Sequence, residues 1–116
     1  MADKSIVFPL ANPIPEINPV DAKEAGDYII GTGSSEFANQ INNVLVFPGL
    51  FRGAIDAKAT EINNEMMFAA SEGIANCVKP EELSRDYILP FAYDTRAHKC
   101  VAKAVKEAAI RLGVVR

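Results

Sequence analysis

The stretch SIVFPLANPIPEINPVDAKEAGDYIIGTG, residues 5–33, holds two short apolar runs with a capped helical segment between them. Ile6-Val7-Phe8 and Leu10-Ala11 make the first run. Its length suits a short buried strand covered on both faces, as in parallel sheets. Pro9 weakens the ladder at that point. Asn12-Pro13-Ile14-Pro15-Glu16 then spells a rigid extended loop, because each proline fixes its own φ and restricts the residue before it. Asn18 fits an N-cap, Pro19 the first helical position, and Asp21 the positive end of a helix running through Val20 to Ala25. Gly26 closes that helix. Tyr28-Ile29-Ile30 is the second strand and ends in Gly31-Thr32-Gly33. Strand, helix, strand in this order predicts a parallel α/β sheet with its loops at the carboxyl ends of the strands.

Downstream the pattern turns helical. Val44, Leu45, Val46, Phe47, Leu50, Phe51, Ala54 and Ile55 are too dense for one stripe, which predicts a helix buried nearly all round, kinked or divided at Pro48-Gly49. Thr60 is the expected cap of the next helix, where Ile62, Met66, Ala70, Gly73, Ile74 and Cys77 recur at helical spacing. Pro80-Glu81-Glu82-Leu83 reads as one extra turn. Asp94 or Thr95 caps a last helix with a buried face of Val101, Ala102, Val105, Ala108, Ala109 and Leu112, and Gly113 stops it.

Composition bounds what such a chain can do. At 116 residues it is one domain's worth or less. An apolar fraction of 49% and a charged fraction of 23% exclude a disordered tail and a coiled coil. The net charge of −3, with no basic stripe, leaves no electrostatic footprint for nucleic acid or an anionic membrane. No apolar run approaches the roughly 20 residues of a membrane span, and the Ser5–Ala11 run is too short for a signal peptide, so neither is expected. Cys77 and Cys100 are too few for a disulfide scaffold and too far apart in sequence for a zinc pair, so two reduced thiols in the cytoplasm are expected.

Proton-transfer and metal groups are sparse. His98 is the single histidine and falls near a helix start, where an imidazolium is disfavoured. Tyr28, Tyr87 and Tyr93 lack an obvious lysine or carboxylate partner. Gly31-x-Gly33 follows a strand, but Glu36 stands where a dinucleotide fingerprint has its third glycine. The acidic residues have no metal-site or glycosidase spacing. What stands out is a run of amides: Asn39, Gln40, Asn42 and Asn43, with Asn12 at the end of the first strand. A neutral amide donates and accepts without a charge to desolvate, so it can hold a carboxylate, a hydroxyl or a nicotinamide carboxamide. The same residues at a helix start are ordinary caps.

Three segments carry a resemblance. IVFPLANPIPEI (6–17), GTGSSEFANQINNVLVFPGLFRGAIDA (31–57) and TEINNEMMFAA (60–70) resemble malic enzyme, in its compact prokaryotic form, in order and spacing over almost the whole chain. The resemblance implies part of a Rossmann-like doubly wound parallel sheet, about two strands, followed by C-terminal helices. It implies that residues 1–116 are the closing portion of an NAD(P)-binding domain, incomplete by itself. The activity implied is oxidative decarboxylation of malate to pyruvate and CO₂ with NAD or NADP and a divalent metal, Mg or Mn.

Asn12 matches the family's ANP motif, and Asn42 and Asn43 match its paired asparagines. By resemblance Asn12, Asn42 and Asn43 contact substrate, and Asn12 and Asn43 also contact the cofactor. The family's tyrosine–lysine pair, its acidic metal ligands and its glycine fingerprint have no counterpart here. No catalytic or metal-binding residue is therefore assigned to this chain. Ser34 stands in place of the family's usual arginine, which leaves cofactor preference and local anion contacts open, and Ala38 replaces a frequent proline, which is expected to loosen the loop. Half a doubly wound sheet leaves an edge and apolar faces open, so the remainder of the enzyme or a second copy is expected as partner, in a homo-oligomer. The rival expectation is a non-catalytic dimerisation or interaction module, with the asparagines as caps.

Overall fold

The computed structural model describes residues 3–11, 14, 16–26, 28–34 and 36–116. β1 (Ile6–Val7) and β2 (Ile29–Ile30) pair in parallel, with Ile6 opposite Ile29 and Val7 opposite Ile30. α1 (Pro19–Glu24) makes the crossover between them. The Val20 N–H donates to Asn18 Oδ1 at 2.9 Å, and Pro19 opens the helix where its missing N–H costs nothing. Gly26 follows at φ +101°, a conformation open to glycine. The expected strand–helix–strand unit is therefore present. The loop prolines Pro13 and Pro15 lie outside the described residues.

Beyond β2 the chain gains a third parallel strip. The Thr32 N–H donates to the Asn39 carbonyl at 3.2 Å, and the Ile41 N–H to the Thr32 carbonyl at 2.7 Å, forming a parallel bridge between Thr32 and Gln40. Gly31 lies where these pieces converge. A β-carbon there would meet Ile41 Cδ1 at 3.0 Å, Phe8 Cδ1 at 3.1 Å and the Asn39 carbonyl oxygen at 3.2 Å.

One expectation fails in this layer. The first strand is not buried on both faces: Ile6 is 60% exposed, and Phe8 and Leu10 are exposed as well. Only the β2 side of β1 is paired among the described residues, and no helix packs on its outer face.

A 3₁₀ turn at Asn43–Leu45 leads into the helical layer: α2 (Phe47–Ala57), α3 (Asn64–Cys77) and α4 (Thr95–Leu112). α4 packs on both α2 and α3. Leu50, Ala54, Met66, Ala70, Val101, Val105, Ala108 and Ala109 form the core between them. α4 is set at its start by Asp94, whose Oδ1 accepts the Arg96 N–H at 2.8 Å, and at its end by Gly113 at φ +73°. α2 and α4 cross nearly backbone to backbone. A β-carbon at Gly49 would lie 2.7 Å from the His98 carbonyl oxygen, and one at Gly53 would run into the Ala102 carbonyl oxygen.

Three details differ from the sequence expectation. Pro48 begins α2 rather than kinking it, since the first turn needs no N–H from it, and the division falls at Val46 between the 3₁₀ turn and the helix. α2 is not buried all round: Phe47, Phe51 and Ile55 are exposed along one side, with the two phenylalanine rings stacked 6.1 Å apart. Thr60 does not cap α3. Its N–H and hydroxyl both donate to the Val114 carbonyl, at 2.7 and 3.1 Å, and Asn63 takes the cap, accepting the Met66 N–H at 3.0 Å.

The whole is elongated, 52 × 31 × 26 Å, with a radius of gyration of 16.0 Å, against roughly 13 Å for a compact chain of this length. A thin parallel layer beside a helical one explains that shape and the exposed apolar side chains.

Candidate substrate and cofactor site

The parallel pieces all point one way, so the segments after Val7, after Thr32 and after Ile41 emerge at one end of the sheet. Ligands of open α/β sheets bind outside that carboxyl end. Asn42 and Asn43 follow directly on the third strip. Asn42, extended at φ −139°, accepts the Val44 N–H on its Oδ1 at 3.0 Å. The capping reading of Asn42 is thus correct for its oxygen, while its NH₂ has no acceptor among the described residues. Asn43 is exposed, and its side-chain amide has no hydrogen-bond partner among the described residues. Asn12 lies outside the described residues, so no distance relates it to this pair.

The other amides have structural work. Asn39 is 6% exposed and sits at φ +59°. Its Nδ2 donates to the Ile30 carbonyl at 2.9 Å and to the Arg85 carbonyl at 2.7 Å, while its Oδ1 accepts the Ile88 N–H at 2.9 Å. Every strong hydrogen-bonding position of that side chain but one lone pair is spent. It fastens a strap, residues 84–88, to the strip that presents Asn42 and Asn43. The strap is held further by Arg85, whose Nε donates to the Tyr28 carbonyl at 2.6 Å and whose guanidinium lies 4.3 Å from the Tyr28 ring centre. Lys23 and Asp86 pair at 3.0 Å. Gln40 donates to the Gly33 carbonyl at 3.4 Å.

A charged cluster ties the strap to α4. Arg96 donates to both Glu82 oxygens at 2.9 and 3.4 Å, to the Tyr87 hydroxyl at 3.0 Å and to Asp94 Oδ2 at 3.4 Å. The Arg96 hydrogen bond holds the Glu82 carboxyl below its ordinary range, and Glu82 in turn raises Arg96. Arg96 thus answers two carboxylates and a phenol at once. Between the 36–40 loop and residues 86–93 lies an aromatic cleft of about 430 Å³ with Phe37, Tyr87 and Phe91 in its walls. A wider groove of about 930 Å³ runs along the end of α2, past Phe51, Ile55, Lys58 and Arg116. Neither contains Asn42 or Asn43.

A free carboxamide at Asn43 suits a nicotinamide carboxamide or a substrate carboxylate. Gly31 does not open a phosphate cradle, because Phe8, Ile41 and the Asn39 carbonyl fill the space beside it. Among the described residues no group of three or more His, Cys, Asp or Glu could hold a metal ion, so these residues do not fit a metal site. His98 lies against α2 beside Pro48, Gly49 and Arg52, and its enclosed Nε2 has no hydrogen-bond partner among the described residues. No described helix is long and apolar enough to cross a membrane.

A parallel βαβ unit with uncharged donors at its carboxyl end defines a part of a dinucleotide-binding α/β layer. The chain belongs to the malic enzyme family: its NAD-binding domain model matches residues 1–110. A bifunctional malic/malolactic enzyme of Bacillus subtilis is 56% identical over all 116 residues, which are 28% of that protein. An NAD-dependent malic enzyme of Geobacillus stearothermophilus is 50% identical, again over the whole chain and 24% of the relative. The crystal structure of malic enzyme from Pyrococcus horikoshii superimposes with a TM-score of 0.94 at 48% identity, covering 100% of this chain and 26% of that one. The chain thus spans about a quarter of the length of the relatives it matches.

Proposed function

We propose that this chain supplies asparagine contacts to a malic-enzyme site that converts malate to pyruvate and CO₂ with NAD or NADP in the cytoplasm. The observation that carries the reading is the exposed Asn43 amide beside Asn42, without a partner among the described residues, at the carboxyl end of a parallel sheet in a chain of this family. The NH₂ donors of Asn42 and Asn43 bind and orient: one toward a substrate carboxylate, the other toward the nicotinamide carboxamide. Asn12 joins them by the family motif. A nicotinamide held there would supply the hydride acceptor for the substrate. Among the described residues no group of three or more His, Cys, Asp or Glu could hold a metal ion, and this reading assigns proton transfer and the Mg or Mn ion to other parts of the enzyme. Residues 1–116 then act as the closing portion of the NAD(P)-binding domain with its following helices.

The test is malate-dependent NAD(P)H formation with Mn²⁺, for the chain alone and mixed with the preceding portion of the enzyme. Activity is expected in the mixture only. Asn43→Ala should lower its turnover at least about tenfold, a loss of about 1.4 kcal/mol in transition-state binding. Unchanged kinetics would remove Asn43 from the site.

The exposed Phe47, Phe51 and Ile55 side of α2 favours a second reading, a non-catalytic interaction or self-associating module. Confirmed association without activity in the mixture would select it.

A further inference from the structure

α3 and α4 approach closely at Gly73. A β-carbon there would lie 3.0 Å from the Cys100 carbonyl oxygen and 3.0 Å from Ala104 Cβ. One turn further along α3, Cys77 is buried in a small cluster with Leu45 and Ala97. Cys100, partly exposed on α4, packs against the same cluster. Cys100 is thus a side-chain neighbour of Cys77, and both thiols are free. Two cysteines distant in sequence thus meet at a helix crossing that the proposed activity does not use.

We propose that Cys77 and Cys100 form a modification site, a dithiol that a peroxide converts into an intramolecular disulfide stapling α3 to α4. Cys100 is the more accessible sulfur and reacts first. Its thiolate attacks a peroxide oxygen, the O–O bond breaks, one water leaves, and Cys100 becomes a sulfenic acid. The Cys77 sulfur then attacks the Cys100 sulfur. The S–S bond forms, the S–O bond breaks and a second water leaves. Two thiols give up two electrons and two protons, and hydrogen peroxide takes up both. Burial, reinforced by the neighbouring Cys100 thiol, pushes the Cys77 thiol up to about 12.

The experiment treats the full chain with hydrogen peroxide, removes the excess, and maps non-reduced peptides by mass. The expected product is one internal cross-link between the Cys77 and Cys100 peptides, reversed by dithiothreitol. The oxidised chain should melt roughly 10 °C higher than the reduced one. In Cys77→Ala, Cys100 should halt at a sulfenic acid that dimedone traps. In Cys100→Ser, Cys77 should lose its thiol at least about tenfold more slowly, as its burial implies. The wild-type peptide map stands even if either variant fails to fold. A Cys100 sulfinic acid beside an intact Cys77 thiol would overturn the proposal. So would disulfides formed only between chains, or survival of both thiols under peroxide that oxidises the denatured chain.

Discussion

Asn39→Asp swaps one heavy atom and should cost at least as much as removing the side chain. The residue keeps its size and its φ of +59°, and one oxygen still accepts the Ile88 N–H. The other end changes from a double donor to an acceptor that faces two carbonyl oxygens, Ile30 at 2.9 Å and Arg85 at 2.7 Å. Two hydrogen bonds of about 1 kcal/mol each are lost. Enclosing a carboxylate against two carbonyl dipoles adds about 1–3 kcal/mol. The total, about 3–5 kcal/mol, is a large share of the 5–15 kcal/mol typical of a folded domain.

Asn39→Gly loses all three bonds but relieves about 1 kcal/mol of left-handed strain, so it should cost about 2–3 kcal/mol; Asn39→Ala keeps the strain and falls about 1 kcal/mol below it. The carboxyl of the Asp variant has a folded-state pKa raised above its unfolded value near 3.9. Its deficit relative to wild type is therefore full above the folded pKa and shrinks as pH falls through it, because the protonated acid donates again. Urea unfolding of the four proteins near pH 7 and near pH 4.5 reads the order and its pH dependence. An Asn39→Asp chain as stable as wild type at neutral pH, or one with a pH-independent deficit, would refute the bracket.

Gly53→Ala gains about 1 kcal/mol of helix propensity but forces a methyl onto the Ala102 carbonyl and within 2.9 Å of Val105 Cβ. Overpacking of this kind costs about 1–3 kcal/mol, so a net drop in Tm of several degrees is expected, and a higher Tm would contradict the close α2–α4 crossing. Glu82, held below the ordinary glutamate value of 4.5 by Arg96, adds stability above that value that is lost as pH falls through its folded pKa. Glu82→Gln should flatten that acid limb of the Tm–pH curve, and an unchanged limb would show the pair to be idle.

Local signals were readable where both partners lay within a few residues. Asn18-Pro19, Gly26, Asp94 and Gly113 mark helix ends because each satisfies or frees a backbone group close by in sequence. Thr60 misled because a partner 54 residues away, the Val114 carbonyl, outbid the local cap and left that role to Asn63. The exposed outer sides of β1 and α2 were unreadable for a different reason. Apolar density says that a surface is to be covered, not what covers it. Within the amide run, sequence could not separate Asn39 from Asn42 and Asn43. The distinction rests on the Arg85 carbonyl and the Ile88 N–H, 46 and 49 residues further along, and on a left-handed φ that asparagine tolerates without announcing.

The distribution of buried surface sets an order in which the molecule opens. Val101, Val105, Ala108 and Ala109 of α4 are fully buried between two other helices. The paired strands are two residues long, and the 84–88 strap hangs on side-chain bonds and a single turn. Amide exchange should therefore be slowest in the centre of α4 and much faster across β1, β2 and the strap. The layer that presents Asn42 and Asn43 can then loosen and re-form while the helices stay assembled, a low-stability unit carried by a high-stability one.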